Sequence, residues 1–352
     1  MVENLFGRSR RELAEILAQL TDKPFHARQL FEWIHHRGES DFSRMSNLPR
    51  SLRAALNERF MVALPKVELR QISRDGTVKY LLRLEDGKAV EAVYIPEKTR
   101  ITFCISSQIG CPLGCTFCLT ARMGLVRNLT AGEIAGQVAV LAGEHGHVAN
   151  TYNLVFMGMG EPLNNYDPVL SAFRLLTDPE GFGIAPKRIT LSTAGVVPGI
   201  LRLALEKPRP RLAVSLSATT DPLRSDLMPI NRAYPLAELF RALGEVPLAP
   251  RERVTLEYVL LQGINDQPSD ALRLVTLAGP LPLKVNLIPY NEAAVARYAP
   301  PSLSSARAFR DLLLEKGIPA SVRRRRGADI AAACGQLAIL NPAMLEHPVT
   351  VA

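Results

Sequence analysis

The residues best suited to chemistry are the five cysteines, Cys104, Cys111, Cys115, Cys118 and Cys334. Three of them form a CxxxCxxC run within Ser107-Gln108-Ile109-Gly110-Cys111-Pro112-Leu113-Gly114-Cys115-Thr116-Phe117-Cys118. An odd number of cysteines, four of them crowded together, argues against a structural disulfide framework and for metal chemistry. Three thiolates on one loop can hold three irons of a cubane iron–sulfur cluster. Such clusters usually take a fourth cysteine, and none lies close in sequence, so one iron would stay open to an outside chelator. The plainer reading is a zinc site of Cys₃His type recruiting His145 or His147. Zinc pairs are more often spaced CxxC, and those histidines follow an expected helix, so the spacing favours the cluster.

The elements around this loop are legible. From Arg10 to about Phe60, apolar residues such as Leu13, Ile16 and Leu17, then Leu30, Phe31 and Ile34, recur at helical spacing, and Asn47-Leu48-Pro49 breaks the pattern before another helix. Residues 66–96 alternate apolar with polar around Asp75-Gly76 and Asp86-Gly87, which predicts a three-stranded antiparallel meander. From about Thr99, strand-like segments at 101–105, 152–156, 188–192, 211–216, 253–261 and 283–290 alternate with helical ones, among them Ala131–Ala142, Pro168–Leu176, Leu236–Leu243 and Ala271–Leu277. Six βα units with largely apolar strands predict an α/β fold with a parallel sheet covered by helices. Six are too few for a closed eight-stranded barrel, so a partial (βα)6 barrel is expected, with active residues at the strand C-termini. The expected organisation is a helical accessory domain over 1–62, a β meander over 63–98 and a barrel core over 99–345.

In that frame the cysteine loop directly follows the first barrel strand, and Phe117 precedes its last cysteine. Both features resemble the radical S-adenosylmethionine (SAM) enzymes, in which the amino and carboxylate groups of SAM fill the open iron position. Met157-Gly158-Met159-Gly160-Glu161-Pro162 follows the second strand, where glycines let backbone approach a ligand and the Glu161 carboxylate suits an ammonium group. Ser192, Ser215, Leu216, Ser217 and Asn291 also sit at or just past strand ends, where each is a candidate contact for SAM or simply a strand-end cap.

The chain has 352 residues and a formal net charge of +8, which suits an anionic partner without proving one. Its apolar stretches are shorter than a membrane span, and the start, MVENLFGRSRRELAEI, lacks the apolar core of a signal peptide. A cytoplasmic protein with no membrane partner is therefore expected. Arg323-Arg324-Arg325-Arg326 is usually a solvated face, but beside a reactive cysteine it would hold an anionic partner.

Taken together, the motifs resemble the RlmN/Cfr family of radical SAM adenine methyltransferases of RNA, with RlmN the nearer branch. The resemblance runs from Lys23-Pro24-Phe25-His26-Ala27-Arg28-Gln29 through VEAVYIPE, CISSQIGCPLGCTFCLTARMG, NLVFMGMGEPLNN, ITLSTAGVVPGI and VNLIPYN to RRRRGADIAAACGQL. It implies a 4Fe–4S cluster on Cys111, Cys115 and Cys118, with SAM bound by Gly160, Glu161, Ser192, Ser215, Leu216, Ser217 and Asn291. It further implies that one SAM methylates Cys334, that a second is cleaved reductively, and that the radical takes hydrogen from the new S-methyl group. The methylene radical then adds to carbon 2 of an adenine in 23S ribosomal RNA, and of one in tRNA. Glu91 is implied as the proton acceptor. Attack by Cys104 on the sulfur of Cys334 then releases the product and leaves a transient disulfide. On their own, Cys104 and Cys334 would be read as small buried hydrophobes, and Glu91 as the polar face of a strand. An electron donor such as flavodoxin with its reductase, and a monomeric state, are also implied. The target adenine must leave its stack to reach a deep pocket. One departure is Ser215-Leu216-Ser217, where family members commonly have Ser-Leu-His.

Rival readings remain open at this point. Cfr-like methylation at carbon 8 needs the same five cysteines. A non-catalytic RNA-binding or ribosome-assembly protein with a structural metal would bind zinc and tolerate Cys334→Ala. A radical SAM enzyme for a small molecule would turn over without RNA.

Overall fold

The computed structural model describes residues 2–291 and 298–339. Positions 340–345 of the expected core unit lie outside the described residues. In the front segment, Arg10–Leu17, Phe25–Phe31 and Arg50–Arg59 are α-helices. The first starts at Ser9, whose hydroxyl accepts the Glu12 N–H while the Glu12 carboxylate accepts the Ser9 N–H. Leu13, Leu17, Leu30, Phe31, Leu52 and Leu56 are buried, as their spacing requires. Beyond the second helix, His35 accepts the Gly7 N–H on Nε2 at 3.0 Å. The two-residue strands Glu3–Asn4 and Phe60–Met61 pair and draw the ends of the unit together.

The rest is organised on one ten-stranded sheet. Lys66–Ile72, Val78–Arg83 and Ala89–Pro96 are its antiparallel meander. Six parallel strands follow at Ile101–Ile105, Asn153–Phe156, Ile189–Thr193, Arg211–Ser215, Val254–Leu260 and Leu283–Pro289, in sequential order. Helices such as Ala131–His145, Tyr166–Thr177, Leu236–Gly244 and Pro268–Ala278 cover the outer face and bury Ile134, Leu141, Phe173, Leu239 and Leu274. The architecture is therefore the expected open (βα)6 barrel, with two additions. The meander is continuous with the barrel, because Ala89–Pro96 pairs with Ile101–Ile105 and sets Val93 opposite Cys104. A seventh parallel strand, Ala320–Val322, adds to Leu283–Pro289 after the helix Leu303–Glu315. Three residues carry too short a pattern to be read as a strand.

Strand pairing does not close the barrel; the segment after the last strand does. Gly327 N donates to Asp75 Oδ2 at 3.1 Å, and Asp329 accepts from Ser73 Oγ at 2.6 Å and from Arg74 N at 3.1 Å. Lys79 Nζ donates to Ala331 O at 3.3 Å, and Ala338 N donates to Glu91 Oε2 at 2.9 Å. This strap carries Cys334 across the open side of the sheet.

Candidate active site

The cysteine loop is built on a small hairpin in which Gln108–Gly110 pairs antiparallel with Leu125–Asn128. Gly110 has φ +76°, and a Cβ there would lie 1.8 Å from Gly124 O, so only glycine lets the two strands cross before Cys111. Cys111 N donates to Gly124 O at 2.9 Å and Thr116 N to Leu227 O at 3.0 Å. Leu119 N donates to Gly335 O at 2.8 Å, and Thr120 Oγ1 to Leu337 O at 2.5 Å. The loop is thereby tied to the residues that follow Cys334.

Cys111, Cys115 and Cys118 line one cavity of about 160 Å³. Burial pushes the Cys111 thiol up to about 12 and the Cys115 thiol well above its usual range, with neighbouring cysteines adding to both. Thiols held this way become ligands only when metal displaces their protons. Among the described residues, no three His, Cys, Asp or Glu side chains converge on a single-ion site. A cubane needs one thiolate per iron, and thiols spread around a cavity suit it better than they suit zinc. His145 is remote from this cavity, stacked on Tyr94 with ring centroids 3.5 Å apart and hydrogen-bonded to Tyr80 Oη. His147 packs against the same tyrosine.

Gly160, Glu161, Ser192, Ser215 and Asn291 line the same cavity. The close approach that Gly160 permits, at φ +99°, is to this chain's own Gln108, whose N would sit 2.7 Å from an added Cβ. Glu161 is 3% exposed; its carboxylate accepts from Leu163 N at 3.0 Å and Ala194 N at 2.7 Å, and burial pushes it up to about 7. Asn291 Nδ2 donates to Cys334 O at 3.3 Å, while its Oδ1 is buried without a partner. Leu216 and Ser217 are placed differently. Both are fully buried and neither lines the cavity; Ser217, at φ +51°, accepts the Val259 N–H on Oγ at 3.4 Å. The side chain that departs from the family pattern thus faces the neighbouring strand.

The sequence reading missed Arg224, Glu257 and the separate fates of the four arginines. Arg224 is fully buried; it donates to Ala194 O at 2.7 Å, Ser215 O and Leu216 O at 3.3 Å, and Asn231 Oδ1 at 3.0 Å. Burial pulls its guanidinium down to about 10, and the nearby Cys115 opposes that pull. An arginine in the helix Asp221–Leu227 looks like a surface charge, so nothing in the sequence marks it. Glu257 had a signal, as the one acid in the apolar run RVTLEYVLL. It is 5% exposed, and burial raises its carboxyl above the usual range. Arg323 turns inward to lie 3.8 Å from Cys334 Sγ and 3.9 Å from Glu257 Oε2. Arg326 pairs with Asp75 and Glu97 at 3.8 and 4.0 Å. Arg324 and Arg325 are exposed.

Cys334 itself is exposed and stands where two cavities meet. The cysteine-lined cavity and a second one of about 610 Å³, the barrel lumen, share Met157, Glu257, Ile288, Asn291, Arg323 and Cys334. Cys104 is buried, and burial followed by the nearby Cys334 pushes its thiol up to about 12. Strand alternation points Cys104 and Glu91 the same way as the lumen-lining Thr102 and Ile95, although neither lines the cavity. Glu91 is 6% exposed, pairs with Lys79 at 3.0 Å and is held above the usual carboxylate range by burial.

Comparison with known proteins agrees with this geometry. Residues 3–62 match the ribosomal RNA large subunit methyltransferase N-terminal domain, and residues 105–275 match the radical SAM superfamily. The dual-specificity RNA methyltransferase RlmN of Anaeromyxobacter dehalogenans is 48% identical over 332 residues, covering 93% of this chain and 89% of its own length. RlmN of Rhodospirillum rubrum is 48% identical over 342 residues, with 95% and 80% covered. The crystal structure of a radical SAM methyltransferase from Sphaerobacter thermophilus superposes with a TM-score of 0.87 at 43% identity, covering 95% of this chain and 99% of that one. Identity at this level over nearly the whole length shows that the chain belongs to the RlmN family of radical SAM RNA methyltransferases.

Proposed function

We propose that this enzyme methylates carbon 2 of an adenine in 23S ribosomal RNA, and of an adenine in tRNA, with Cys334 as the methyl carrier. The observation that carries the reading is the position of Cys334. Its sulfur is exposed at the junction of the cysteine-lined cavity and the lumen, with the Arg323 guanidinium 3.8 Å away. A 4Fe–4S cluster on Cys111, Cys115 and Cys118, with SAM at its open iron, supplies one-electron cleavage of the sulfonium and so hydrogen abstraction. The donor set fits: Cys111, Cys115, Cys118, Glu161 and Asn291 line one space, and Asn291 Oδ1 is buried without a partner. In this reading Gly160, Glu161, Ser192, Ser215 and Asn291 hold SAM, while Leu216 and Ser217 contribute through backbone that Arg224 and Asn265 fix in place.

Carbon 2 of adenine is electron-poor and does not attack a methyl sulfonium, but it accepts a carbon radical. Cys334 presents that carbon after its methyl group has lost hydrogen. Glu91 takes the adenine proton, a role helped by a carboxyl that burial makes more basic. The adduct's unpaired electron would return to the one-electron centre that Cys111, Cys115 and Cys118 would hold. Cys104 then attacks the Cys334 sulfur as the carbon–sulfur bond breaks, the freed carbon takes up a proton to become the methyl group, and a disulfide is left for reduction. The helical unit over 1–62 and the exposed Arg324 and Arg325 are assigned to RNA binding. The enzyme is assigned to the cytoplasm as a monomer supplied with electrons by a flavodoxin-type donor. Among the described residues no helix is long and apolar enough to cross a membrane.

The deciding experiment treats ribosomal RNA and tRNA from cells lacking the enzyme with reconstituted protein, reductant and SAM, then digests them for mass spectrometry. The expected product is 2-methyladenosine in both RNAs, together with a methyl group on the Cys334 peptide. A yield of 8-methyladenosine overturns the regiochemistry, and turnover without RNA overturns the substrate class.

A further inference from the structure

The lumen has a second end. Four cations stand at the starts of barrel strands, the end opposite the cysteine loop. Arg100 immediately precedes Ile101–Ile105, Arg188 precedes Ile189–Thr193, Arg211 opens Arg211–Ser215, and Lys284 is the second residue of Leu283–Pro289. All four line the same 610 Å³ cavity that Cys334 lines from within, as does the exposed Lys187.

Little negative charge answers them. Arg100 pairs with Glu97 at 2.6 Å, and Glu257 lies deep in the lumen at 5% exposure. Among the described residues no carboxylate oxygen comes within 4.0 Å of a cationic nitrogen of Arg211, Lys284, Arg188 or Lys187. The Lys284 ammonium is pulled below its usual range by burial, and then by Arg211, Arg100 and Arg253, against only Glu257. Like charges gathered at a concave mouth raise the local potential and draw in an anion. Phosphodiesters flanking an extruded base can be held by several cations around one opening, because phosphate contacts position a nucleic acid without reading it.

We infer that RNA enters this enzyme through the strand N-terminal mouth, where Arg100, Arg188, Arg211 and Lys284 grip the phosphates on either side of the target adenine. The base then passes up the lumen and meets the Cys334 carbon from the side opposite the cysteine loop. This inference rests on the RNA-methylation reading above and adds the direction of approach and the residues that set it. Arg324 and Arg325 border the same cavity at exposed positions.

The test compares reconstituted wild-type enzyme with an Arg211→Gln/Lys284→Gln variant, using a fluorescein-labelled RNA stem–loop with an unpaired adenine and a potassium chloride series. A control variant, Arg307→Gln/Lys316→Gln on and just after the outer helix Leu303–Glu315, removes the same charge elsewhere. The mouth variant is expected to bind at least tenfold more weakly, with a salt slope lower by about 1.4, the value for two lost single-strand phosphate contacts. The control should keep the wild-type slope, and the Cys334 methyl mark, read by peptide mass, should confirm that the mouth variant folds and binds SAM. Wild-type affinity and slope in the mouth variant overturn this inference alone. Equal losses in mouth and control variants also overturn it, because net charge then explains the effect. A wild-type enzyme that binds no RNA overturns the functional reading beneath it.

Discussion

Lys79 Nζ lies 3.0 Å from Glu91 Oε1, and the two side chains are 10% and 8% exposed. Both also reach the strap, Lys79 at Ala331 O and Glu91 at Ala338 N, so one ion pair holds the segment on either side of Cys334. Removing one member of a buried pair strands the other charge and costs about 3–5 kcal/mol. Lys79→Met is therefore expected to lower the urea midpoint, and Lys79→Met/Glu91→Gln to recover about 1–3 kcal/mol of that loss. Both variants should fail to release methylated RNA. A double variant no more stable than Lys79→Met refutes the coupling.

The two carrier-side cysteines should fail in opposite ways. Cys334→Ala removes the sulfur, so neither methylated RNA nor any protein–RNA adduct should form. Cys104→Ala leaves addition intact and removes the group that resolves it, so RNA should stay attached to Cys334. A denaturing gel with labelled RNA distinguishes them, and free methylated product from Cys104→Ala contradicts the assigned role.

Arg224→Met would leave the Ala194, Ser215 and Leu216 carbonyls without their buried donor. Orphaned buried acceptors cost about 1–3 kcal/mol each when water cannot reach them. The expected result is a large drop in thermal stability and less iron retained per chain after anaerobic reconstitution. Arg224→Lys should rescue little, because an ammonium cannot span three carbonyls as a planar guanidinium does. Full iron content in Arg224→Met contradicts this.

His35 gives the helical front an acid limit. Burial drives its imidazole from 6.5 down to about 4, so the folded state keeps it neutral while the unfolded chain takes up a proton below 6.5. Stability from this group is complete above pH 6.5 and is lost as pH falls toward 4, by about 3 kcal/mol in all. Melting curves between pH 7 and pH 4.5 should show that slope. His35→Leu should flatten it while losing the Gly7 hydrogen bond, and an unchanged slope would assign the acid sensitivity to other groups.

Much of this is legible in the sequence. The six parallel strands read as apolar runs because one face is buried under the outer helices while the other lines a partly open lumen, and the cysteine loop announced itself by spacing. The hairpin at 108–110 and 125–128 did not, since its strands of three and four residues are too short to show an alternating pattern. Nor could spacing reveal that Ser217 turns away from the cavity, which follows from a left-handed backbone angle. Cys104, Cys334 and Glu91 were singled out only through family resemblance, because each alone looks like ordinary core or strand. Arg323 was visible as part of a basic run, but only folding separates the one arginine that faces the sulfur from the two that face solvent.

The strap has a mechanical consequence. The proposed methyl carrier rides on the clasp of the whole sheet, and that clasp is fastened to Ser73, Asp75, Lys79 and Glu91 on one side and to Leu119 and Thr120 on the other. Because Lys79 and Glu91 are nearly buried and Leu337 packs in the core, the sulfur between these fastenings is held from both sides. A change that loosens either anchorage would therefore displace the sulfur from both cavities at once, tying its placement to the closure of the fold.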